Sequence, residues 1–279
     1  MTFIFSFADE IQNRILNNRV ASLKIDDELI ENIYGVFNDN LNALRIKKIA
    51  FRYEEEFVAI VNSFVFNNFF KVENIVESII RIGIKQSVCI IFYLHYKLKY
   101  SSSNNLINDF LKKNCYYSLC SAFGCYWLAN KYKLNEGVEK VFILSLLRDI
   151  GSLVILKVIQ EIIEENLYLN ISGDFIEKII LNNHEEFGYY YVKNIGLPDS
   201  ICNIVRNHHT SNSKDLNYIL KYIKIIDVFF DCEERYSYGS KYFNLDVARE
   251  LMCLGMPIKD INELKKYMDN LRTYLKNQN

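Results

Sequence analysis

Turn-forming residues are scarce in this chain, whose 279 residues include only 10 Gly and 2 Pro. Sheet-rich proteins of this length usually need more of them, so the shortage favours a mostly helical fold. The chain also lacks a long basic run, and its formal net charge is −1. A nucleic-acid groove needs clustered Lys and Arg to neutralise phosphates, so nucleic acid is not an expected partner.

The cysteines form no Cys-x-x-Cys pair, and most of them lie in apolar surroundings. In such surroundings Cys behaves as a small core residue. We therefore expect reduced core thiols in a cytoplasmic protein, and neither disulfides nor zinc ligands. The seven residues are Cys89, Cys115, Cys120, Cys125, Cys202, Cys232 and Cys253.

Membrane-targeting segments are also missing from the pattern. The N-terminus starts with a short apolar run that has no basic region, so it does not predict a signal peptide. The longest uncharged stretch, 114–130, approaches the length of a membrane span. Polar residues dilute this stretch and lysines flank it, so it predicts a buried central helix and no membrane span.

Helical periodicity dominates what is present. Half of the sequence is hydrophobic, and apolar residues recur at three- and four-residue steps, as in DDELIENIYGVF and KVENIVESIIRIGI, with Gly83 ending the second. A polar break at Tyr100–Asp109 marks the best internal boundary. We predict an all-α protein with two packed helical lobes, 1–104 and 105–231. C-terminal helices at 232–279 are expected to pack on this domain.

The stretch LLRDIGS, which contains Arg148 and Asp149, raises the question of a metal site. Asp149 and Asp227 could join downstream histidines if their helices pack face to face. Spacing alone leaves two interpretations open, because histidines also bond the last carbonyls of helices. We interpret His95 as a structural, half-buried residue. The chain has four histidines, His95, His184, His208 and His209.

Five segments occur in an order that carries a family resemblance. They are FVAIVNSFVF with Asn62-Ser63, ENIVESIIRIGIKQ with Gly83, YSLCSA from Tyr117, SLLRDIG, and NHEEFGYYYVKNIGLPDSICNIVRNHH. In order and spacing they resemble the HDOD family, bacterial signalling relatives of the HD phosphohydrolases. The resemblance covers roughly Asn18 to Asp231 and implies the two-lobed fold, with an HD-like bundle as the second lobe.

The departures from the catalytic HD pattern fall on its metal ligands. Two ligand histidines of HD enzymes correspond to Tyr117 and Arg148 here. A phenol binds metal poorly at neutral pH because its pKa is about 10, and a guanidinium has no lone pair to donate. We hypothesise that Arg148 replaces the metal and bonds Asp227, or Asp149 if the helix end turns it inward. Asp227 is preferred because adjacent residues of a helix do not face each other.

The resemblance implies a non-catalytic regulatory module, a pseudoenzyme that acts in signalling through protein partners. Small-ligand or nucleotide binding stays open, and no cofactor or metal is expected. The expected vestigial pocket consists of Tyr117, Arg148, Asp149, His184, His208, His209 and Asp227. The alternative is a metal-dependent HD-type phosphohydrolase with an altered ligand set, namely Asp149, His184, His208, His209 and Asp227.

Overall fold

The computed structural model describes residues 2–17, 27–63, 70–99, 102–133, 137–166, 171–209, 218–231, 252 and 255–276. These residues contain no strand, so the all-α prediction is confirmed. The helices are α1 (Thr2–Leu16), α2 (Asp27–Phe37), α3 (Ala43–Ala50), a 3-10 turn (Phe51–Tyr53), α4 (Glu54–Val61), α5 (Ile75–Ile82), α6 (Ile84–Lys99), α7 (Asn105–Lys131), α8 (Val138–Leu147), α9 (Ile150–Glu165), α10 (Gly173–Asn194), α11 (Asp199–Asn207), α12 (Tyr218–Asp231) and α13 (Ile258–Lys276).

The chain divides into two compact units. The first combines Met1–Cys115 with Leu147–Asn207, and the second combines Tyr116–Leu146 with His208–Asn279. The chain passes into the second unit along α7 and returns to the first at the end of α8. The domain boundaries predicted at 104 and 231 stay a prediction. Residues 100–101 and 232–251, and with them Cys232, lie outside the described residues, as does Cys253.

Short polar motifs set the helix ends in the first unit. The Asn74 side chain accepts a hydrogen bond from the Glu77 N–H at the start of α5, and Gly83 ends that helix at φ +83°, as predicted. Asn62 makes a two-way bond with the backbone of Val72. Its Oδ1 accepts from the Val72 N–H (2.9 Å), and its Nδ2 donates to the Val72 carbonyl (2.9 Å). Asn62 therefore fixes the chain that leads into α5.

The two central helices of the first unit, α9 and α10, cross with their backbones in contact. A Cβ built on Gly151 would lie 1.8 Å from the carbonyl oxygen of His184 and 2.8 Å from the Gly188 nitrogen. A Cβ on Gly188 would lie 2.8 Å from Val205 of α11. Side chains at either position would separate the helices, so the crossing depends on both glycines. Gly151 lies in the first turn of α9.

We expect Gly151→Ala to destabilise the protein by about 3 kcal/mol or more, because a methyl group would overlap backbone atoms that cannot rotate away. Urea unfolding followed by circular dichroism measures this. Gly173→Ala is the matched control, since its nearest neighbours lie at 3.7 Å and are side-chain atoms of Phe110 and Leu106. It should change stability by less than about 1 kcal/mol. Equal stability of the two variants would contradict the close crossing.

In the second unit, α13 is bound to the end of α7 by a polar cluster. The Tyr132 hydroxyl donates to Asp260 Oδ2 (2.8 Å), and Lys131 Nζ lies 3.2 Å from Asp260 Oδ1. The hydrogen bond from Tyr132, and after it that from Lys131, lowers the pKa of Asp260 below its usual value. Trp127 lies beside Tyr267, with ring centroids 6.1 Å apart. These contacts join α7 to the C-terminal helix.

The pKa of Asp260 predicts an acid-dependent part of the stability. Because the folded pKa is lowered, this contribution is complete above the unfolded pKa of about 4 and is lost as pH falls through the lower folded value. Asp260→Asn should lower stability at pH 7 and flatten its decline between about pH 5 and pH 3. Thermal melts across that range test this, with the exposed Asp269→Asn on α13 as control. If the stability of Asp260→Asn declined with falling pH as steeply as that of the wild type, this prediction would be contradicted.

Two predictions about composition can be compared with the described residues. The five described cysteines are free and buried, and burial raises the pKa of the Cys115 thiol to about 12. Such thiols are unreactive near neutral pH. Among the described helices, none combines the length and apolar character that crossing a bilayer requires. The uncharged stretch is instead the C-terminal part of α7, whose side chains are mostly buried.

Candidate functional site

Arg148 and Asp149 lie in the turn between two helices. α8 ends at Leu147 and α9 begins at Ile150, and Asp149 has a non-helical backbone (φ −98°, ψ 18°). Because neither residue lies inside a helix, their side chains can turn toward each other. Arg148 Nε donates to Asp149 Oδ2 at 3.0 Å. Of the two predicted partners of Arg148, the structure shows Asp149. A bond from Arg148 to Asp227 stays a prediction.

The Arg148 side chain is deeply buried, with 1 % of its surface exposed. It is the largest of the fully buried side chains among the described residues. A guanidinium removed from water needs an anion at close range, because the desolvation cost of an isolated charge is several kcal/mol. Asp149, itself buried, supplies that charge through a charge-assisted hydrogen bond. Arg148 therefore does not point into solvent.

His184 completes a group of three side chains in the first unit, which we term the Arg-Asp-His cluster (Arg148, Asp149 and His184). His184 is buried on α10, and its Nδ1 lies 2.8 Å from the carbonyl oxygen of Ile180. A carbonyl can only accept, so Nδ1 carries the proton of this bond. Nε2 then faces the carboxylate, 3.8 Å from Asp149 Oδ1.

The helix crossing brings the cluster together. Asp149 precedes Gly151 by two residues, and the backbone of Gly151 rests against the carbonyl of His184. The same close approach therefore sets Asp149 beside His184. Sequence reasoning missed the part played by Gly151 and by the Ile180 carbonyl. Of these two features, only the Ile180 carbonyl could have been predicted from the sequence, because the carbonyl four residues before a helical side chain is always near it.

The first unit holds part of the predicted metal-ligand set. Structural zinc takes four ligands and catalytic zinc takes three from the protein. Of the predicted ligand set, the first unit holds Asp149 and His184. One oxygen of Asp149 already accepts from the Arg148 guanidinium, and that fixed positive charge repels a divalent cation. The cluster can instead hold a buried ion pair beside an oriented imidazole.

The other predicted site residues belong to the second unit. Tyr117 is buried, and its ring meets that of Tyr116 edge to face at 5.8 Å. His208 is buried and His209 is exposed, and their ring centroids are 4.2 Å apart. Asp227 is half-buried on α12. The vestigial pocket that would join these residues to the Arg-Asp-His cluster stays a prediction.

His95 has the structural environment that its sequence context indicated. It is half-buried on α6, and its Nδ1 lies 3.1 Å from the Tyr53 hydroxyl. Both residues line a small pocket with apolar walls from Leu29, Ile49 and Ile91. This histidine is therefore part of the packing between α3 and α6.

Comparison with known proteins connects this geometry to a family. The HDOD domain model matches residues 55–211, which is more than half of the chain and includes the whole Arg-Asp-His cluster. The chain belongs to the HDOD domain family. Within this HDOD domain, Asn62 is the residue that binds the backbone of Val72. No curated protein matches the chain.

Solved structures share the fold of this HDOD domain. One is a provisionally named metal-dependent phosphohydrolase from Shewanella amazonensis SB2B, 14 % identical, with a TM-score of 0.75 over 98 % of this chain and 99 % of that one. A Geobacter sulfurreducens HDOD protein of unknown function is 15 % identical, with a TM-score of 0.59 over 79 % and 76 %. A provisionally named signal transduction protein from Marinobacter aquaeolei VT8 is 15 % identical, with a TM-score of 0.60 over 97 % and 65 %.

The buried pair of the HDOD domain makes a prediction about stability. We expect Arg148→Ala to lower the free energy of unfolding by about 3–5 kcal/mol, because it leaves a buried carboxylate without its cation. Adding Asp149→Asn should restore part of the loss, since the second change removes the stranded charge. Urea denaturation of the wild type, both single variants and the double variant measures the coupling. Additive losses would contradict a direct Arg148–Asp149 interaction.

Proposed function

We propose that this HDOD domain is a non-catalytic regulatory module that acts in signalling through protein partners. In this proposal Arg148 supplies, as part of the protein, the positive charge that a metal supplies in catalytic HD relatives. The role is structural, since the buried pair holds the turn between α8 and α9 in place. The Marinobacter aquaeolei relative, named for signal transduction, is consistent with this class of function.

The observation that carries the proposal is the burial and bonding of Arg148. A guanidinium cannot give an electron pair to a metal, so the position is lost as a ligand. The same group bonds Asp149 at 3.0 Å, where a metal would need that carboxylate. Hydrolysis by an HD-type enzyme requires the metal to activate water and polarise the phosphoryl group. Replacing the metal with a fixed cation supplies neither a bound water nor an open coordination position.

A second candidate is the metal-dependent phosphohydrolase with an altered ligand set, and the orientation of His184 favours it. Its Nδ1 bonds a backbone carbonyl and its Nε2 faces a carboxylate oxygen. Metal-binding histidines are commonly oriented by such a bond through the other ring nitrogen. The Shewanella amazonensis relative, named as a metal-dependent phosphohydrolase, belongs to the same class. His208, His209 and Asp227 would have to complete the site.

Metal analysis separates the two candidates. The protein is grown with added manganese, iron and zinc, purified without chelator or histidine tag, and measured by elemental analysis. We expect well below one equivalent of metal and no hydrolysis of bis(p-nitrophenyl) phosphate. One equivalent or more, lost in Asp149→Asn and in His184→Gln, would overturn the non-catalytic proposal.

Arg148→His is the informative variant in this experiment. It restores the His-Asp pair of catalytic relatives and removes the competing cation. We expect this variant to retain more metal than the wild type under the same growth conditions. Arg148→Lys keeps the charge without offering an imidazole, so it should stay as metal-poor as the wild type. Equal metal content in all three proteins would show that Arg148 does not govern metal exclusion.

A further inference from the structure

The first helix of the chain, α1, packs on α9 and α10 within the first unit. Its buried side chains Phe7, Ile11 and Ile15 follow one another at four-residue steps, so they form one apolar stripe. Asp9 and Asn13, which lie between them in the sequence, are exposed. α1 is therefore an amphipathic helix that contacts two other helices through one face.

Two contacts join α1 to α10. The Phe7 ring meets the Phe175 ring edge to face, with the ring centroids 5.4 Å apart. Asn194 Nδ2 donates to the carbonyl oxygen of Ile15 at 3.2 Å, and so bonds one of the last carbonyls of α1, which have no partner within the helix. The contact thus combines apolar packing with a polar bond at the helix end.

A charged pair joins α1 to α9 and sets its register. Arg14 donates from Nη1 and Nη2 to the two carboxylate oxygens of Glu165, at 2.8 and 2.6 Å. Such a two-bond pair needs a planar guanidinium opposite a carboxylate, so it selects one position along the helix. Within α1, Glu10 accepts from Arg14 Nε at 2.7 Å and orients the guanidinium. We term the surface of α9 and α10 that carries Glu165, Phe175 and Asn194 the α1-binding surface.

The helical form of α1 depends on the α1-binding surface. Isolated helices of up to about 15 residues are marginal in water, and α1 has 15 residues. Its Phe and Ile residues are weaker helix formers than Ala or Leu. α1 also precedes the segment that the HDOD model matches, residues 55–211, whereas α9 and α10 lie inside that segment. The family segment thus provides a surface that holds an amphipathic helix from outside it.

We propose that the α1-binding surface docks an amphipathic helix of a partner protein, and that α1 is an internal occupant which the partner helix displaces. The inference rests on the proposed function, because it gives the regulatory module a defined partner surface. The partner helix carries three apolar residues at four-residue steps and a basic residue directly before the third, as α1 does. Docking of this kind recognises one face of a helix laid on an apolar surface.

The internal occupant makes the proposal measurable. A competitor binds with an apparent Kd that rises as the fraction of molecules with an open surface falls. Changes that weaken the attachment of α1 should therefore strengthen the binding of an external helix, provided that α9 and α10 are left intact. A purely structural α1 predicts the opposite, since loosening it would create no site for another helix.

The test uses the full chain and three fluorescein-labelled peptides. The first has the α1 sequence, residues 2–16. The second has glutamate in place of the arginine of that sequence. The third keeps the five side chains that form the stripe and the charged pair, with alanine or glutamine elsewhere, namely Phe7, Glu10, Ile11, Arg14 and Ile15. Fluorescence anisotropy measures binding. We expect the wild-type chain to bind all three weakly, because its own α1 occupies the surface.

Charge reversal on α1 should open the surface. Arg14→Glu sets two carboxylates against each other, so the chain's own α1 is repelled from Glu165. We expect this variant to bind the first and third peptides at least tenfold more tightly than the wild type does, and the second peptide at least tenfold more weakly than the first. Asn13→Glu is the matched control, because it introduces the same residue at an exposed position of the same helix. It should bind as the wild type does.

Charge reversal on the α1-binding surface should reverse the peptide preference. Glu165→Arg repels the chain's own Arg14, and it should bind the second peptide at least tenfold more tightly than the first. Glu164→Arg is the matched control, because Glu164 is the neighbouring exposed carboxylate of α9 and accepts from Gln160. The Glu165 side chain is 56 % exposed, so this variant is expected to fold and gives a test that does not depend on Arg14→Glu. Circular dichroism checks the fold of every variant.

Three results would overturn the proposal. The first is equal affinity of Arg14→Glu and the wild type for the first peptide, or an unchanged preference in Glu165→Arg. The second is binding of the first peptide without binding of the third, because recognition would then not rest on the stripe and the charged pair. The third is a concentration-dependent wild-type dimer in sedimentation that each charge reversal dissociates and that forms again when the two variants are mixed. That result would make α1 of a second copy the occupant.

These outcomes are independent of the metal analysis. Metal content is measured on the wild-type chain and concerns Arg148, whereas peptide binding concerns Arg14 and Glu165. A metal-containing protein that shows the reversed peptide preference would overturn the non-catalytic proposal and leave the docking surface in place. A metal-free protein without that preference would do the reverse.

Discussion

The backbone contact between α9 and α10 is the constraint on which the candidate site depends. Two glycines allow it, and side chains at either position would meet backbone or core atoms within 3 Å. The contact fixes how far α9 can slide along α10 and therefore sets Asp149 against His184. Packing of this kind tolerates little change in volume, because protein interiors are as dense as organic crystals. The arrangement of the Arg-Asp-His cluster thus depends on the close backbone approach at Gly151 and Gly188, which is outside the cluster itself.

The buried Arg148–Asp149 pair sets a charged group at the turn between α8 and α9. A charge inside a protein is costly unless it is paired, and the pair itself adds little net stability compared with apolar residues. What the pair provides is a fixed positive charge and a fixed turn between α8 and α9. Solved structures that are 14 % and 15 % identical to this chain share its fold.

The sequence by itself determined the helical class, the end of α5 at Gly83, and the presence at position 148 of a side chain that cannot bind a metal. These follow from composition, periodicity and the chemistry of single side chains, which act locally. Tertiary structure decided the partner that Arg148 shows and the part played by Gly151. The partner of Arg148 depended on where α8 ends, because a residue outside the helix can turn to its neighbour. The part played by Gly151 depended on the crossing of α9 and α10. It also decided which apolar residues stay exposed. Leu44 and Ile46 look alike in sequence, and only the packing of α3 on α6 separates them.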